Sequence, residues 1–364
     1  MATELGLELA NRGHEIHFIS YANPIRLDSG SPRIHYHEVE VSTYPLFQYP
    51  PYSLALASRM AEVAERYELD LLHVHYAVPH SIAALLAQQM LAPKRRVPFV
   101  TTLHGTDITL VGVDHSYFGI TKFSIERSDG ITTVSDYLRR RTVEVFGIAR
   151  PIEVILNFVN CDIYQPNPAA RRDAPFAPGE RLLLHISNFR PVKRVMDCIR
   201  VLAEVRRDMP AHLLMVGDGP ERGPAERLAY ELGISDHVTF LGKQDHVERI
   251  IPLAHVLLLP SDLEAFGLVA LEAMACGVPP VATRVGGLVE LVTDGADGFL
   301  ETPGDIEAQA ARVKQLLSDD ALYRRMAGIA RQTAQSRFCT SLIIPKYEQY
   351  YRRVCDGAGT AGQS

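Results

Sequence analysis

Two carboxylates, two cations and a set of well-placed glycines are the residues of this sequence best suited to chemistry. Glu264 and Glu272 are separated by the seven residues Ala265-Phe266-Gly267-Leu268-Val269-Ala270-Leu271. Gly267 reads as the opening of a helix that Gly277 and Pro279 close. A helix opening there leaves the backbone N–H groups of Phe266, Gly267 and Leu268 free and aims its positive dipole end at an anion. Glu272 falls inside that helix, amid Leu271, Ala273 and Met274. A carboxylate in such surroundings is costly unless it accepts hydrogen bonds, and sugar hydroxyls are suitable donors. The plain alternative is a solvated helix glutamate. Arg190 and Lys193 stand in the run His185-Ile186-Ser187-Asn188-Phe189-Arg190-Pro191-Val192-Lys193-Arg194, between a strand and a helix. There they can converge on phosphate oxygens, although two exposed loop cations would look the same.

Other signals are weaker alone. Gly217-Asp218-Gly219-Pro220-Glu221 is a tight strand-to-helix turn. Gly242-Lys243-Gln244 could wall a nucleobase, and Gly286-Gly287 precedes a short helix. In the first half, Thr101-Thr102-Leu103-His104-Gly105-Thr106-Asp107 follows a strand, so His104 could present an imidazole there. His73 and His75 alternate on a strand and face one side. A metal needs a further ligand, so packing and hydrogen bonding are expected of that pair. Tyr76 ends the same strand. Lys94-Arg95-Arg96 and Arg139-Arg140-Arg141 read as solvated faces, the second with some capacity to draw an anion.

These residues must be held by strands and helices that alternate. Strands read at Glu15–Ser20, Ile34–Glu38, Leu71–His75, Val97–Thr102 and Gly130–Val134. A second series reads at Arg181–Ile186, His212–Val216, Val238–Phe240, Val256–Leu259 and Pro280–Ala282. Helical patterns lie between them, among them Leu54–Tyr67, Asp136–Phe146, Val192–Asp208 and Ile306–Ser318. Such alternation predicts an α/β chain of parallel sheets covered by helices, in two doubly wound blocks. The join is expected near Asn157–Asp173, where Pro166 and Pro168 cluster with polar residues. Ligands of such sheets sit beyond the carboxyl ends of the strands.

The 364 residues suit two domains with their own cores. Hydrophobic content is 47% and charged content 22%, as in a soluble globular protein. No apolar run reaches the length of a membrane span, and no export signal is visible. A net charge of −6 argues against nucleic-acid or anionic-membrane binding. Five scattered cysteines, none in a CxxC pair, read as reduced thiols in a cytoplasmic protein. The Gly/Ala/Ser tail after Val354 reads as disordered. Tyr347, Tyr350 and Tyr351 form an aromatic stripe on the last helix, which reads as packing.

With these motifs assembled, the sequence resembles glycosyltransferase family 4 over nearly its whole length. The Glu264–Glu272 segment is similar to that family's E-x7-E motif, and the Arg190/Lys193 loop and the Gly217–Glu221 turn agree in spacing. The resemblance implies the GT-B fold, two Rossmann-like domains facing across a cleft. The expected domains are 1–157 with 339–364 on the acceptor side, and 158–338 for the nucleotide sugar. His73-Val74-His75-Tyr76-Ala77-Val78-Pro79-His80, Leu103–Gly112, Phe123–Asp129 and Ser187–Arg190 resemble a narrower branch. Its members join N-acetylglucosamine from its UDP donor to L-malate, the first step of bacillithiol synthesis.

The resemblance implies roles. Glu272 holds ribose hydroxyls, Glu264 binds the donor sugar, and Phe266, Gly267 and Leu268 offer amides. Gly217, Gly242 and Lys243 belong to the donor side. Arg190 and Lys193 neutralise the departing diphosphate, the main electrostatic task. His104 lies at the reacting face, and Tyr76, Thr101 and Arg190 are candidates for malate. Transfer with retention by front-face attack needs no carboxylate nucleophile, unlike retaining glycosidases. No metal or other cofactor is expected, because cationic side chains serve the phosphates. Expected partners are UDP-N-acetylglucosamine and L-malate, without nucleic acid or membrane insertion. Oligomeric state is left open, with a homodimer admitted.

The family begins with a strand and a Gly-Gly-Ser-Gly loop, whereas this sequence opens in a helix at Thr3–Asn11. The expectation is a misplaced start site or a truncation, with the first strand and Gly-rich loop lacking from the first domain. A chain truly starting here is expected to fold poorly and turn over little. Two alternatives stand beside the malate reading. One is a family 4 hexosyltransferase acting on a lipid or polysaccharide. The other is a catalytically impaired nucleotide-sugar binder.

Overall fold

The computed structural model describes residues 1–24, 27, 30–41, 49–92, 94–169 and 179–360. It divides the chain into two units, Met1–Asn157 with Ser341–Ser364, and Phe158–Thr340. The Pro166–Asp173 end of the expected join lies partly outside the described residues.

Unit 1 runs α1 (Ala2–Asn11), β1 (Ile16–Ser20), β2 (Ile34–Glu38), α2 (Tyr52–Arg66), β3 (Leu72–His75), α3 (Ile82–Leu91), β4 (Phe99–Leu103), α4 (Thr106–Thr109), α5 (His115–Arg127), β5 (Gly130–Thr133), α6 (Asp136–Phe146) and β6 (Glu153–Val154). All its strand pairs are parallel. The described strands form two sheets, β1-β2 and β3-β4-β5-β6, where the pattern alone suggested one. Leu56, Met60 and Ala64 of α2 pack with Val74, Ala83, Ala87 and Phe99 in one buried cluster.

Unit 2 runs β7 (Arg181–Ile186), α7 (Val195–Arg206), β8 (Ala211–Val216), α8 (Arg222–Glu231), β9 (Val238–Gly242), α9 (Val247–Ile250), β10 (Val256–Leu259), α10 (Leu268–Ala275), β11 (Pro280–Thr283), α11 (Leu288–Leu291), β12 (Phe299–Glu301), α12 (Ile306–Ser318) and α13 (Asp320–Arg337). Its parallel sheet has the order β12-β11-β10-β7-β8-β9. The chain starts at β7, winds outward to β9, then returns to β10 and winds the other way. β7 and β10 therefore flank the switch point, where open α/β sheets leave a crevice for ligand. Strands buried on both faces read as apolar runs, as Val256–Leu259 does.

The last helix, α14 (Thr340–Thr360), returns to unit 1. It remains helical past Val354, so the expected disordered tail is corrected as far as Thr360. The aromatic stripe does pack, with polar tips satisfied. The Tyr350 hydroxyl accepts from Ile131 N at 2.7 Å and donates to Ile131 O at 3.1 Å. A Cβ at Gly130 would lie 2.8 Å from that hydroxyl, so glycine is required there. Tyr351 Oη is 2.7 Å from His73 Nδ1. Glu348 accepts from Arg12 Nε and Nη2, both at 2.9 Å.

The cysteine expectation is corrected in part. Cys161 and Cys339 form a disulfide across 178 positions, while Cys198, Cys276 and Cys355 remain thiols. Parallel bridging of Val159 with Cys339 brings the two segments together, a tertiary pairing that spacing does not reveal. No helix among the described residues is long and apolar enough to cross a membrane.

Candidate active site

Both chemical loops of unit 2 leave the sheet at its switch point. After β7, the chain turns through Ser187–Arg190 into a short 3-10 turn, Pro191–Lys193. His185 orients this loop from beneath. Its Nδ1 lies 2.9 Å from Leu258 O and its Nε2 2.8 Å from Ser187 Oγ. Burial depresses the His185 pKa to about 4, so the ring is neutral, donating from Nδ1 and accepting at Nε2. Ser187 Oγ in turn accepts from Phe189 N at 3.2 Å.

After β10, Ser261 opens the second loop, and Asp262 N donates to Val192 O at 2.9 Å, joining the two loops. Lys193 Nζ lies 2.5 Å from Glu264 Oε1, which also accepts from Ser261 Oγ at 2.9 Å. The pair is mostly buried, with side chains 22% and 13% exposed. Arg190 is exposed and has no ion-pair partner among the described residues, so its guanidinium is available to an anion.

Gly267 takes φ +95° as the N-cap of α10, and a Cβ there would approach Leu288 Cδ2 to 2.4 Å. Only glycine combines that left-handed turn with that contact. Among the described residues, the amides of Phe266, Gly267 and Leu268 donate to no acceptor. They form an anion cradle at a helix start. The Phe266 side chain is buried, edge-on to Phe338, and fixes the loop rather than touching ligand. Glu272 is half-buried on α10, its Oε1 3.2 Å from Tyr164 Oη.

The glycine turns earn their places by close approach. A Cβ at Gly217, φ +119°, would meet Ser187 O at 1.8 Å, and one at Gly219 would meet Asn188 O at 2.1 Å. Glu221 N donates to Phe189 O at 2.9 Å, so the Gly217–Glu221 turn braces the Ser187–Arg190 loop. Gly217 N donates to Gly242 O at 2.8 Å, and Lys243 beyond it is exposed. Gly287 N donates to Glu264 O at 2.9 Å, bracing the Glu264 loop.

In unit 1, β3 and β4 end in a stack of imidazoles. His75 Nδ1 lies 2.8 Å from His104 Nε2, and the His73 ring is tilted against that of His75 with centroids 4.4 Å apart. Burial holds His104 and His73 at about 3 and His75 well below its ordinary value, so all three are neutral. With Nε2 engaged by His75, His104 has Nδ1 left for a ligand. The Tyr76 ring lies 5.0 Å from that of His104, and Tyr76 takes φ +75°, a conformation costly for a tyrosine.

Buried Asp107 joins these two loops. It accepts from Ala77 N at 3.1 Å, His104 N at 3.2 Å and Gly105 N at 2.9 Å. Burial raises its pKa, against the pull of those three donors. Asp107→Asn turns an amide NH2 toward backbone N–H groups. It is expected to lower kcat at least about tenfold and to destabilise unit 1 by about 1–3 kcal/mol. Steady-state kinetics and urea unfolding check this, and wild-type values in both would remove the positioning role.

One expectation is corrected, and the two basic runs prove to be solvated faces. Thr101 is fully buried, with its hydroxyl 2.9 Å from Ser81 Oγ and 2.7 Å from Ser128 Oγ, so it cannot reach an acceptor. Its side chain points to the face of β4 opposite Thr102 and the histidines. Arg139 and Arg140 pair with Asp136, and Arg141 with Glu144, on the solvated face expected of that run. Lys94 and Arg96 pair with Glu65 and Asp129, and Arg95 Nη2 donates to Leu69 O. Sequence reasoning overlooked Ser261, Tyr164 and the anchoring by His185. Ser261, three residues before Glu264, was the one visible in spacing.

Comparison with known proteins agrees with this geometry. The model described as Glycosyl transferases group 1 matches residues 167–333, and Glycosyltransferase Family 4 matches residues 1–163. N-acetyl-alpha-D-glucosaminyl L-malate synthase of Bacillus anthracis is 46% identical over 97% of this chain and 93% of its own length. A glycogen synthase of Mycobacterium tuberculosis is 31% identical over 78% of this chain and 68% of its own. Sucrose-phosphate synthase of Thermosynechococcus elongatus superposes with a TM-score of 0.82 at 24% identity, covering 97% of this chain and 92% of its own. HepE of Anabaena, solved with UDP and glucose, also gives 0.82, at 21% identity over 96% and 95%. The fold is thus GT-B, and the chain belongs to the family 4 glycosyltransferases, which are transferase enzymes.

Proposed function

We propose that this chain transfers N-acetylglucosamine from UDP-N-acetylglucosamine to the hydroxyl of L-malate, with retention at the anomeric carbon, in the cytoplasm. The acceptor assignment rests on the 46% identity to an enzyme named for that product. The donor assignment rests on the Lys193–Glu264 pair beside three unpartnered amides at the switch point of unit 2.

In this reading Glu272 takes the ribose hydroxyls and the amides of Phe266, Gly267 and Leu268 take the diphosphate, with Gly217, Gly242 and Lys243 around the nucleotide. Glu264 fixes a sugar hydroxyl and holds Lys193 in place. As the C1–phosphate bond breaks, negative charge grows on the leaving oxygen, and Arg190 and Lys193 stabilise it. The malate hydroxyl oxygen bonds to C1 from the same face, and its proton passes to the departing phosphate. His104 and Tyr76 are assigned to the reacting sugar and the acceptor. Cationic side chains neutralise the diphosphate, so the transfer itself calls for no metal.

The test is one assay on the full chain. UDP release from UDP-N-acetylglucosamine is measured with L-malate, without acceptor, and with EDTA. Release that requires malate and persists in EDTA is expected. Release indifferent to malate would overturn the acceptor, and loss in EDTA with the Tm unchanged would overturn the metal-free route.

A further inference from the structure

The sheet β1-β2 carries a side-chain cluster that the transfer reaction does not use. Positions 15 and 17 share one strand face, as do 35 and 37, and the parallel register sets His17 against His35. The result is Glu15, His17, His35 and His37 together on one face. A carboxylate oxygen of Glu15 and one ring nitrogen each of His17 and His35 lie within 4.8 Å of one another. His35 Nε2 is 2.9 Å from Glu15 Oε2, a hydrogen bond that a cation held between the two would replace.

His17 Nδ1 is 2.9 Å from His37 Nε2. With His17 as donor, its Nε2 keeps a lone pair for a ligand, and His37 becomes the outer partner that fixes tautomer and ring orientation. The Tyr67 ring backs the group, with centroids 4.6 Å from His17 and 5.3 Å from His37. The nearby guanidiniums have other engagements. Arg59 pairs with Glu62 at 2.7 Å, Arg66 lies over the Tyr67 ring, and Arg33 donates to Gly13 O. Glu15 and His35 have side chains 60% and 37% exposed, which leaves a route from solvent.

We propose that Glu15, His17 Nε2 and His35 Nε2 bind a late first-row divalent cation such as zinc, with a fourth position open to water. In the metal-free arrangement the His17 and His35 rings stack at 4.6 Å. Binding requires the exposed His35 ring to turn about χ2, a soft torsion. The ion ties β1 to β2, and a two-stranded sheet is marginal without such support.

The other carboxylate–histidine group, Glu180, His212 and His237, does not share this character. Arg206 Nη1 lies 3.6 Å from Glu180 Oε1, and its Nη2 is 2.7 Å from His237 Nε2. A guanidinium already fills the place of a cation there.

Zinc is titrated calorimetrically into tag-free, EDTA-stripped full chain, with magnesium in parallel and thermal melting as a second readout. The expected result is one zinc per chain, a raised Tm, and no response to magnesium. Glu15→Gln and His35→Gln are expected to weaken zinc binding at least about tenfold and to abolish the Tm rise. Both alter exposed side chains, and unchanged circular dichroism confirms folding. His237→Gln is expected to bind as wild type. Absence of saturable zinc binding, wild-type binding by Glu15→Gln and His35→Gln, or loss confined to His237→Gln would each overturn the site.

Discussion

Replacing Lys193 with alanine is expected to lower kcat by about 10²–10³-fold, with the donor KM changed only a few-fold. Lys193 sits at the end of the Pro191–Lys193 turn, whose geometry is set by Lys193 N on Arg190 O at 2.8 Å and Asp262 N on Val192 O at 2.9 Å. Its ammonium is held by Glu264 Oε1 before any ligand arrives. Such a preorganised charge stabilises the leaving phosphate without reorganising as the reaction proceeds. The ground-state diphosphate keeps three backbone amides and Arg190, so donor affinity suffers less. Glu264 retains its bond from Ser261, which limits the structural damage. Lys193→Arg keeps the charge but replaces a compact ammonium by a planar fork, and it is expected to restore only part of the rate. Steady-state kinetics with varied donor decide the matter. A rise in KM at unchanged kcat would move Lys193 from transfer to simple donor binding.

Unit 1 is expected to lose stability as pH falls below about 6.5, the ordinary imidazole value. His73 and His104 are held at about 3 in the folded chain, because burial opposes the charged form. In the unfolded chain both titrate near their ordinary value. Below it the unfolded state takes up protons that the folded state refuses, so stability is full above pH 6.5 and is lost on acidification. At pH 5 the linkage amounts to about 2 kcal/mol for each ring. Together these are a large part of a typical stability of about 5–15 kcal/mol. His75 acts in the same direction. Glu348, held at about 2 chiefly by its bond from Arg12, adds stability that is lost in a lower window, from about 4.5 downward. Asp107, raised by burial, works the other way. Urea unfolding at pH 8, 6.5 and 5 should show a small fall from the first midpoint to the second and a marked fall at the third. Amide exchange of the β3 and β4 peptides should localise the loss to unit 1. A flat response from pH 8 to 5 would mean that the three rings are hydrated and ordinary.

The loop from Ser261 to Gly267 was legible because its reasons are local. Gly267 must adopt a left-handed φ, the helix after it has a defined start, and Glu272 is conspicuous within an apolar run. Continuous apolar runs likewise marked β7 and β10 with their observed bounds. The two-residue β6 and the three-residue β12 are too short to carry a period, and both escaped notice. Helices α5 and α13 did too. The exposed apolar residues Tyr117, Phe118, Ile120 and Phe123 blur the amphipathic stripe of α5.

Thr101 marks the limit of strand reasoning. Alternation fixes that Thr101 and Thr102 face opposite ways, but not which of the two faces the histidines. Packing decided that, since α3 brings Ser81 to the Thr101 side while Thr132 on β5 meets Thr102. Pairing of Cys161 with Cys339 across 178 positions is a similar case, set by strand-like bridging between distant segments.

By itself the sequence determined the α/β class, the two-block order and the strand–loop–helix frame that carries Glu264 and Glu272, because periodicity, glycine conformation and charge placement act over a few residues. Tertiary structure alone decided that Glu264 holds Lys193, that Asp107 clasps the Tyr76 and His104 loops, and that Glu15 gathers on one face with His17 of β1 and His35 and His37 of β2. Those outcomes depend on which strands become neighbours and in what register, and that is settled by burial over the whole unit rather than by any local stretch of chain.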